Sequence, residues 1–271
     1  MLLSKFAKEI LYGGKLSQKL VDPGKIEFDE WSDFSLPTFP ARDTKIKKTE
    51  KTVKFPRGHF HEDEKKAIAL HSFANHELLA IEMMAAALLV FPHHTEELKR
   101  FKRGVLSSLI DEQKHFKLYE NRLNEIGYEI GDFGLNDFFW RYMEKLKTPA
   151  QYLAVMSLTF EAANLDFAHF YKHIFEELGD HKTSHILNIV LEDEISHVGL
   201  GVSYLGKWRQ DKDLWTYYNE LLPYPLTPAR SKGKLFVEHV RKKARMDEDF
   251  IQKLRGYDDS FRITNRKEWK T

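Results

Sequence analysis

The phrase Asp-Glu-x-x-His occurs twice in this chain and restricts its possible folds more than any other sequence feature. It stands at residues 111–115 and again at residues 193–197. On a helix, residues three positions apart share a face, so each phrase directs one carboxylate and one imidazole the same way. A lone glutamate, Glu77 in the first case and Glu161 in the second, precedes the glutamate of the phrase by 35 and 33 residues. The sequence therefore indicates two copies of one helical pattern, each carrying Glu and then Glu-x-x-His.

Helix signals bound four long segments around these positions. Apolar residues recur at helical spacing through each segment, and few glycines or prolines interrupt them. Pro92 ends the first segment, Thr95 is an N-cap for the second, and Pro149 suits the first turn of the third. We therefore predict an all-α fold whose four main helices cover residues 62–91, 95–127, 149–179 and 181–210.

The repeated glutamates and histidines fall on the apolar stripes of these helices, which indicates a metal site. Burying four carboxylates without positive charge is very costly, and two metal cations supply that charge. The alternative is a set of exposed charges that fall in register by chance. Four carboxylates and two imidazoles suit iron or manganese, and zinc less well. We predict a dinuclear site with six ligands: Glu77, Glu112, His115, Glu161, Glu194 and His197.

Other titratable residues lie close to these ligands in sequence. Asp111 and Asp193 each precede a ligand glutamate, and we predict that they accept a hydrogen bond from a ligand histidine. The alternative is an ordinary surface acid, because adjacent helix positions diverge by ~100°. Six of the other eleven histidines form pairs, at positions 59 and 61, 93 and 94, and 169 and 173. We predict that the first two pairs face solvent, and that the third, although its spacing can bind metal, is solvated or structural.

Composition excludes several classes of site. The sequence has no cysteine, so disulfides, thiolate zinc sites and iron–sulfur clusters are excluded. Electrons for redox chemistry would then come from a separate reductase or from the substrate. Charges among the first nine residues disfavour a signal peptide, and the longest apolar run, residues 81–92, is too short to cross a bilayer. We expect a cytoplasmic protein that does not enter a membrane.

Three parts are predicted along the chain. Residues 1–61 form short helices and an irregular wrapping extension, residues 62–210 form the four-helix bundle, and residues 211–271 form a loop and a further helix, roughly 234–253. Basic residues cluster at 42–54 and 230–245. These clusters are expected to be solvated, and the alternative is that they hold a phosphate-bearing or nucleic-acid substrate.

The order and spacing of the six ligands resemble the ferritin-like di-iron superfamily, which includes ferritins, rubrerythrins, the ribonucleotide reductase small subunit and a tRNA-modifying hydroxylase. The phrase Glu-Leu-Leu-Ala at residues 77–80 is similar to the first-helix phrase of ferritins and rubrerythrins, which favours Glu77 over Glu82 as the ligand. More narrowly, four phrases resemble a ferritin-like bacterial family known as domain of unknown function 455. These phrases are residues 76–82, 159–166, 193–199 and 225–230.

The resemblance implies a ferritin-like four-helix bundle, with a wrapping N-terminal extension and an additional C-terminal helix, that holds two iron ions. It implies an O₂-activating hydroxylase or oxidase of an unidentified small-molecule or RNA substrate, served by an external reductase. Tyr119, one turn beyond His115, matches a radical-forming tyrosine of the reductase small subunit, and the alternative is a core aromatic. The second hypothesis is an iron-handling or peroxide-scavenging protein, and a third is a metal-stabilised scaffold without turnover. A homodimer through the first two long helices is compatible with the sequence but not required.

Overall fold

The computed structural model describes residues 1–49 and 53–259, and helices dominate these residues. The part of the chain that is described contains two isolated β-bridges and no β-strand of its own. The predicted all-α class is therefore confirmed. The chain divides into two compact units, Met1–Glu144 and Lys145–Thr271. The predicted boundaries after residues 61 and 210 stay predictions.

The first unit is built on a pair of long helices joined by a short loop. Its helices are α1 (Leu3–Tyr12), α2 (Leu16–Lys19), α3 (Asp63–Val90), α4 (Glu96–Glu125) and α5 (Trp140–Met143). Helices α3 and α4 pack along each other, and α1 packs on α3. Only five residues connect α3 to α4, so the two helices run antiparallel. Their bounds agree closely with the first two predicted helices.

Local sequence explains where α3 and α4 begin and end. The hydroxyl of Thr95 accepts a hydrogen bond from the backbone N–H of Leu98 at 3.2 Å, which caps α4 as predicted. Acidic Asp63 and Glu64 lie in the first turn of α3, where the helix dipole stabilises negative charge. The chain leaves α4 through Gly127, whose φ of +82° is a conformation that glycine adopts without strain.

Helix α3 is buried along almost its whole length. An 18-residue window reaches a mean hydropathy of 1.4, which is apolar enough to cross a membrane, yet 83% of that window is buried inside the protein. Such burial is typical of the core helix of a soluble protein. The irregular segment between α2 and α3 contributes to this burial, since the indole of Trp31 donates to the Leu89 carbonyl at 3.0 Å. The cytoplasmic location stays a prediction.

A buried ion cluster connects the N-terminal segment to α3. Glu82 accepts from Lys19 at 3.0 Å and from Arg42 at 2.6 Å, and all three side chains are at most 2% exposed. Burial alone would lower the pKa of Lys19, while its contact with Glu82 opposes that effect. This cluster fixes the role of Glu82 as a counterion within the core.

The second unit contains a third long helical segment that is interrupted. It consists of α6 (Pro149–Val155), a π-helical turn (Met156–Glu161) and α7 (Ala162–Glu177), followed by α8 (His181–Trp208). The prediction of one continuous helix over residues 149–179 missed this turn. The hydroxyl of Thr159 donates to the Ala154 carbonyl at 2.8 Å and so satisfies a backbone group inside the interrupted segment.

The C-terminal part of this unit differs from the prediction of one helix over residues 234–253. The structure has α9 (Leu214–Leu221), a 3₁₀ turn (Pro228–Ser231), α10 (Glu238–Lys243) and α11 (Glu248–Gly256). Arg245, with a φ of +65°, follows the end of α10. Asp247 caps α11 by accepting a hydrogen bond from the Phe250 N–H at 2.7 Å. The cap residue makes a new helix start inside the range that was predicted as one helix.

A buried ion pair holds α10 against α7. Arg241 donates to Asp166 through both terminal nitrogens, at 2.5 and 2.9 Å, and neither side chain is exposed. Asp166 also accepts from the backbone N–H groups of Gly233 and Val237, each at 2.8 Å. The carboxylate is thus fully hydrogen-bonded, which is the condition for burying a charge at acceptable cost.

The buried histidine of α3 predicts acid sensitivity of the first unit. Burial lowers the pKa of His71 to about 4, and its Nε2 accepts from the Gly131 N–H at 3.1 Å. The unfolded chain takes up this proton near pH 6.5, so the contribution of neutral His71 to stability is lost as the pH falls from about 6.5 to about 4. We expect the free energy of unfolding to fall by up to about 3 kcal/mol in that window.

Urea titrations across this pH range measure the effect. The variant H71Q keeps a hydrogen-bond acceptor but does not titrate, so its stability should depend less on pH than that of the wild type. The variant H94Q, at an exposed position, should behave like the wild type. Equal pH dependence in H71Q and the wild type would show that His71 carries none of this effect.

Candidate metal centre

In the first unit, α3 and α4 bring three predicted ligands together. One donor atom from each of Glu77, Glu112 and His115 lies within 4.8 Å of the other two. All three side chains are buried, with residue exposures of 3%, 1% and 0%. The Nδ1 atom of His115 lies 3.5 Å from a carboxylate oxygen of Glu112 on the same helix. The Glu-x-x-His spacing therefore directs both donors toward one point, as predicted.

In the second unit, the corresponding three residues form an equivalent group. One donor atom from each of Glu161, Glu194 and His197 lies within 4.8 Å of the others, and their exposures are 4%, 2% and 2%. The Nδ1 atom of His197 lies 3.4 Å from the Oε2 atom of Glu194, nearly the separation found in the first unit. Each unit thus contains one buried triad, which we call the first triad (Glu77, Glu112, His115) and the second triad (Glu161, Glu194, His197).

The donor sets and their spacing fit a metal ion. Donors bound to one ion at about 2.0–2.2 Å, with angles near 90–110°, lie about 3–3.5 Å apart. The His–Glu separations of 3.5 and 3.4 Å fall within or at the end of that range. Each triad also places two carboxylates in a buried position, where like charges repel strongly unless a cation or protons compensate them. One divalent cation in each triad balances two carboxylates.

Glu161 takes its position from a feature that the sequence did not reveal. It is the last residue of the π-helical turn, after which α7 resumes regular geometry. A π-helical turn adds a residue to the helical register and so rotates the side chains on either side of it. Such turns have no clear composition signal. The sequence therefore predicted Glu161 as a ligand but did not predict its π-helical backbone conformation.

Asn164 contacts a predicted ligand, although the sequence did not single it out. Its side-chain amide donates to the Oε1 atom of Glu194 at 2.7 Å, while the Oε2 atom of the same carboxylate faces His197. The amide thereby fixes which oxygen is presented beside the histidine. The spacing Glu161-x-x-Asn164, three residues apart on one helix, was the available signal.

We expect N164A to bind metal about 10- to 100-fold more weakly than the wild type, because a hydrogen bond that orients a ligand carboxylate is removed. Competition with a chelator of known affinity measures the change. The control N188A removes an asparagine that accepts from Lys172 at 3.1 Å, and it should leave metal affinity unchanged. Equal affinities of N164A and N188A would show that Asn164 does not support the ligand.

The other residues singled out in the sequence occupy several environments. Tyr119 is 1% exposed and packs on Phe73, with ring centroids 5.6 Å apart, so it is a core aromatic one turn beyond His115. Asp111 and Asp193 are half-buried, and Asp111 lies 3.8 Å from Lys114. The proposed roles of these three residues in metal binding and electron transfer stay predictions.

The prediction that His93 faces solvent was wrong. His93 is 7% exposed; its Nε2 atom lies 2.8 Å from the Asp29 carbonyl oxygen, and its Nδ1 atom lies 2.8 Å from the Lys102 ammonium nitrogen. Lys102 also donates to the Leu88 carbonyl at 2.7 Å near the end of α3, and burial lowers the pKa of Lys102 to about 7. The irregular segment before α3 supplies this burial, and local sequence around His93 does not encode it.

The loop before α3 holds an exposed group of donors. His59, His61 and Glu62 place one donor atom each within 4.8 Å of one another, and all three are exposed. They stand at the N-terminus of α3, where the helix dipole disfavours a cation. This group therefore lacks the burial and the electrostatic setting of the two triads.

Comparison with known proteins identifies a family but no activity. The family model described as "Protein of unknown function (DUF455)" matches residues 7–252. A protein of Haemophilus influenzae named "Uncharacterized protein" is 29% identical over 151 residues, which are 54% of this chain and 52% of that protein. The chain thus aligns with about half the length of this relative. No solved structure matches the chain.

Proposed function

The chain belongs to the family described as "Protein of unknown function (DUF455)", and we propose that it is a dinuclear iron or manganese carboxylate protein. The observation that carries this proposal is the pair of buried triads, each with two glutamates and a histidine whose donors face one another. In the proposed centre, each triad holds one ion. The proposed architecture is the ferritin-like four-helix bundle, in which two Glu-x-x-His helices and two further glutamates supply the ligands.

The donor chemistry favours iron or manganese over other metals. Carboxylate oxygens are hard ligands and imidazole is intermediate, a combination that suits Fe²⁺ and Mn²⁺. The chain offers no cysteine, so ions that require thiolate ligands have none. Two divalent ions balance four carboxylates, which makes the loaded centre electrically neutral before any further ligand binds.

We propose that the protein is an O₂-activating hydroxylase or oxidase. When bound and reduced, such a metal pair supplies electrons and open coordination positions for reaction with O₂. The protein's own contribution is to exclude water and to orient its ligands, and the burial of both triads and the Asn164 hydrogen bond serve these tasks. Tyr119, in the core one turn beyond His115, would donate an electron or a hydrogen bond from its phenol group.

The proposed reaction needs partners beyond the chain. Electrons come from an external reductase or from the substrate, because the sequence contains no cysteine with which to bind an iron–sulfur centre. The proposed substrate is an organic molecule, either a small molecule or an RNA, bound by a cytoplasmic protein. An iron-handling or peroxide-scavenging protein is the competing function, and the test below separates the two.

Anaerobic loading with Fe²⁺ followed by exposure to O₂ tests the proposal. We expect about two irons per chain and a transient absorption that forms and decays once per pair of irons. Progressive uptake of many irons per chain would contradict the enzyme proposal and indicate an iron-storage protein. Two bound irons that do not react with O₂ would contradict the enzyme proposal and indicate a metal-stabilised scaffold without turnover. H₂O₂ offered in place of O₂ identifies a peroxide scavenger if it reacts faster.

A further inference from the structure

Three histidines cluster in the second unit, outside both triads. His169 and His173 lie on α7 with ring centroids 4.6 Å apart, and His239 on α10 places its ring centroid 5.6 Å from that of His169. The sequence indicated only the first two, and it predicted a solvated or structural pair. The tertiary contact between α10 and α7 adds the third imidazole.

The two ring separations measured from His169 are close to those of imidazoles that share a metal ion. With metal–nitrogen bonds of about 2.0–2.1 Å and tetrahedral angles, the centroids of two bound imidazoles lie about 5 Å apart. The observed separations of 4.6 and 5.6 Å lie on either side of this value. As described, the three histidines do not all place a donor atom within 4.8 Å of one another, so binding one ion requires rotation of their side chains about χ1 and χ2.

The environment of His169 leaves one ring nitrogen available. Its Nδ1 atom is buried and has no hydrogen-bond partner among the described residues, a condition that costs free energy. His169 also lines a cavity of about 430 Å³ together with Leu235, Val237, His239 and Lys242. This cavity gives an ion and its water ligands a route to the cluster.

Nearby charges are already engaged and leave the imidazoles as the available donors. Asp166 is bound to Arg241, Glu238 pairs with Lys242, and Lys172 donates to Asn188. Burial lowers the pKa of His169, and the neighbouring His173 and Lys172 lower it further. His169 is therefore neutral at pH 7, which is the form that binds metal.

We propose that His169, His173 and His239 form a separate mononuclear site for a borderline divalent cation such as Zn²⁺ or Cu²⁺. Three imidazole ligands suit these ions better than they suit Fe²⁺ or Mn²⁺, which prefer carboxylate oxygens. Three protein ligands leave a coordination position for water on such an ion. The site is independent of the dinuclear centre and does not need that centre to exist.

Titration of the metal-free chain with Zn²⁺, in competition with a chelating dye, tests this site. H173A and H239A change exposed side chains and should fold as the wild type does. We expect each to weaken one Zn²⁺-binding event more than tenfold, since each removes one of three ligands, a larger loss than that of a supporting hydrogen bond. The matched control H59A/H61A removes the exposed pair before α3 and should leave that event unchanged.

A spectroscopic measurement identifies the ligands directly. Cu²⁺ bound to the wild type should show electron paramagnetic resonance splittings from three imidazole nitrogens, reduced in H173A and in H239A. Repeating the titration with E112Q/E194Q separates this site from the triads, because the histidine site should survive those substitutions. Unchanged Zn²⁺ affinity in both H173A and H239A, or loss of the event in H59A/H61A alone, would overturn the proposal.

Discussion

E112Q and E194Q are each expected to lower the metal content from two ions per chain to one or none. Each substitution removes one of the two carboxylates of a triad and leaves a neutral amide of nearly the same size in a buried position. The ion then loses a charged ligand in a site shielded from water, where an unbalanced charge is most costly. Elemental analysis after anaerobic loading and gel filtration measures the result.

The same variants carry a second readout that does not involve metal. Without an ion, each triad holds two buried carboxylates that repel each other, so metal-free E112Q and E194Q should be at least as stable as the metal-free wild type. The control E192Q changes an exposed glutamate two residues before Glu194 and should keep two ions. If E112Q and E194Q both kept two ions, the assignment of Glu112 and Glu194 as ligands would be wrong.

The second large effect is expected at the ion pair between Asp166 and Arg241. R241M leaves the Asp166 carboxylate buried without its cation, and we expect the free energy of unfolding to fall by about 3–5 kcal/mol. The 3₁₀ turn loses a contact as well, since Arg241 also donates to the Ser231 carbonyl at 2.9 Å. Equilibrium denaturation in urea measures the loss.

An exposed arginine provides the matched control. Arg255 pairs with Glu238 at the surface, where its side chain is 47% exposed, so R255M should change stability by less than about 1 kcal/mol. The double variant D166L/R241M removes both charges and should recover part of the loss. Similar stabilities of R241M and R255M would mean that the buried pair contributes little to the fold.

The long helices, and the grouping of the six proposed ligands into two buried triads, could be predicted because both follow from local periodicity. The position of Glu77 on a nearly all-apolar helix, and the spacing of Glu112 and His115, specify a buried face without any knowledge of the tertiary structure. The same pattern recurs in the second half of the chain, so the sequence indicates a second buried face with the same types of side chain. The same argument explains why the bounds of α3, α4 and α8 came within two residues of the predicted ones.

Features that depend on contacts between distant segments could not be predicted. The burial of His93 by the N-terminal segment and the approach of His239 to His169 arise from tertiary packing, and the π-helical turn that ends at Glu161 has no clear composition signal. The break between α10 and α11 was missed for a different reason. One helix was predicted over residues 234–253, although Asp247 is a favoured N-cap residue; the positive φ of Arg245 ends α10 just before it.

The measurement that tests the dinuclear centre most directly is the stoichiometry and magnetic coupling of Mn²⁺ bound to the metal-free chain. Equilibrium dialysis gives the number of ions, and electron paramagnetic resonance reports whether they interact. The proposal predicts two Mn²⁺ ions per chain whose spectrum shows exchange coupling, lost in E112Q. One ion per chain, or two ions with the spectrum of isolated Mn²⁺, would contradict it.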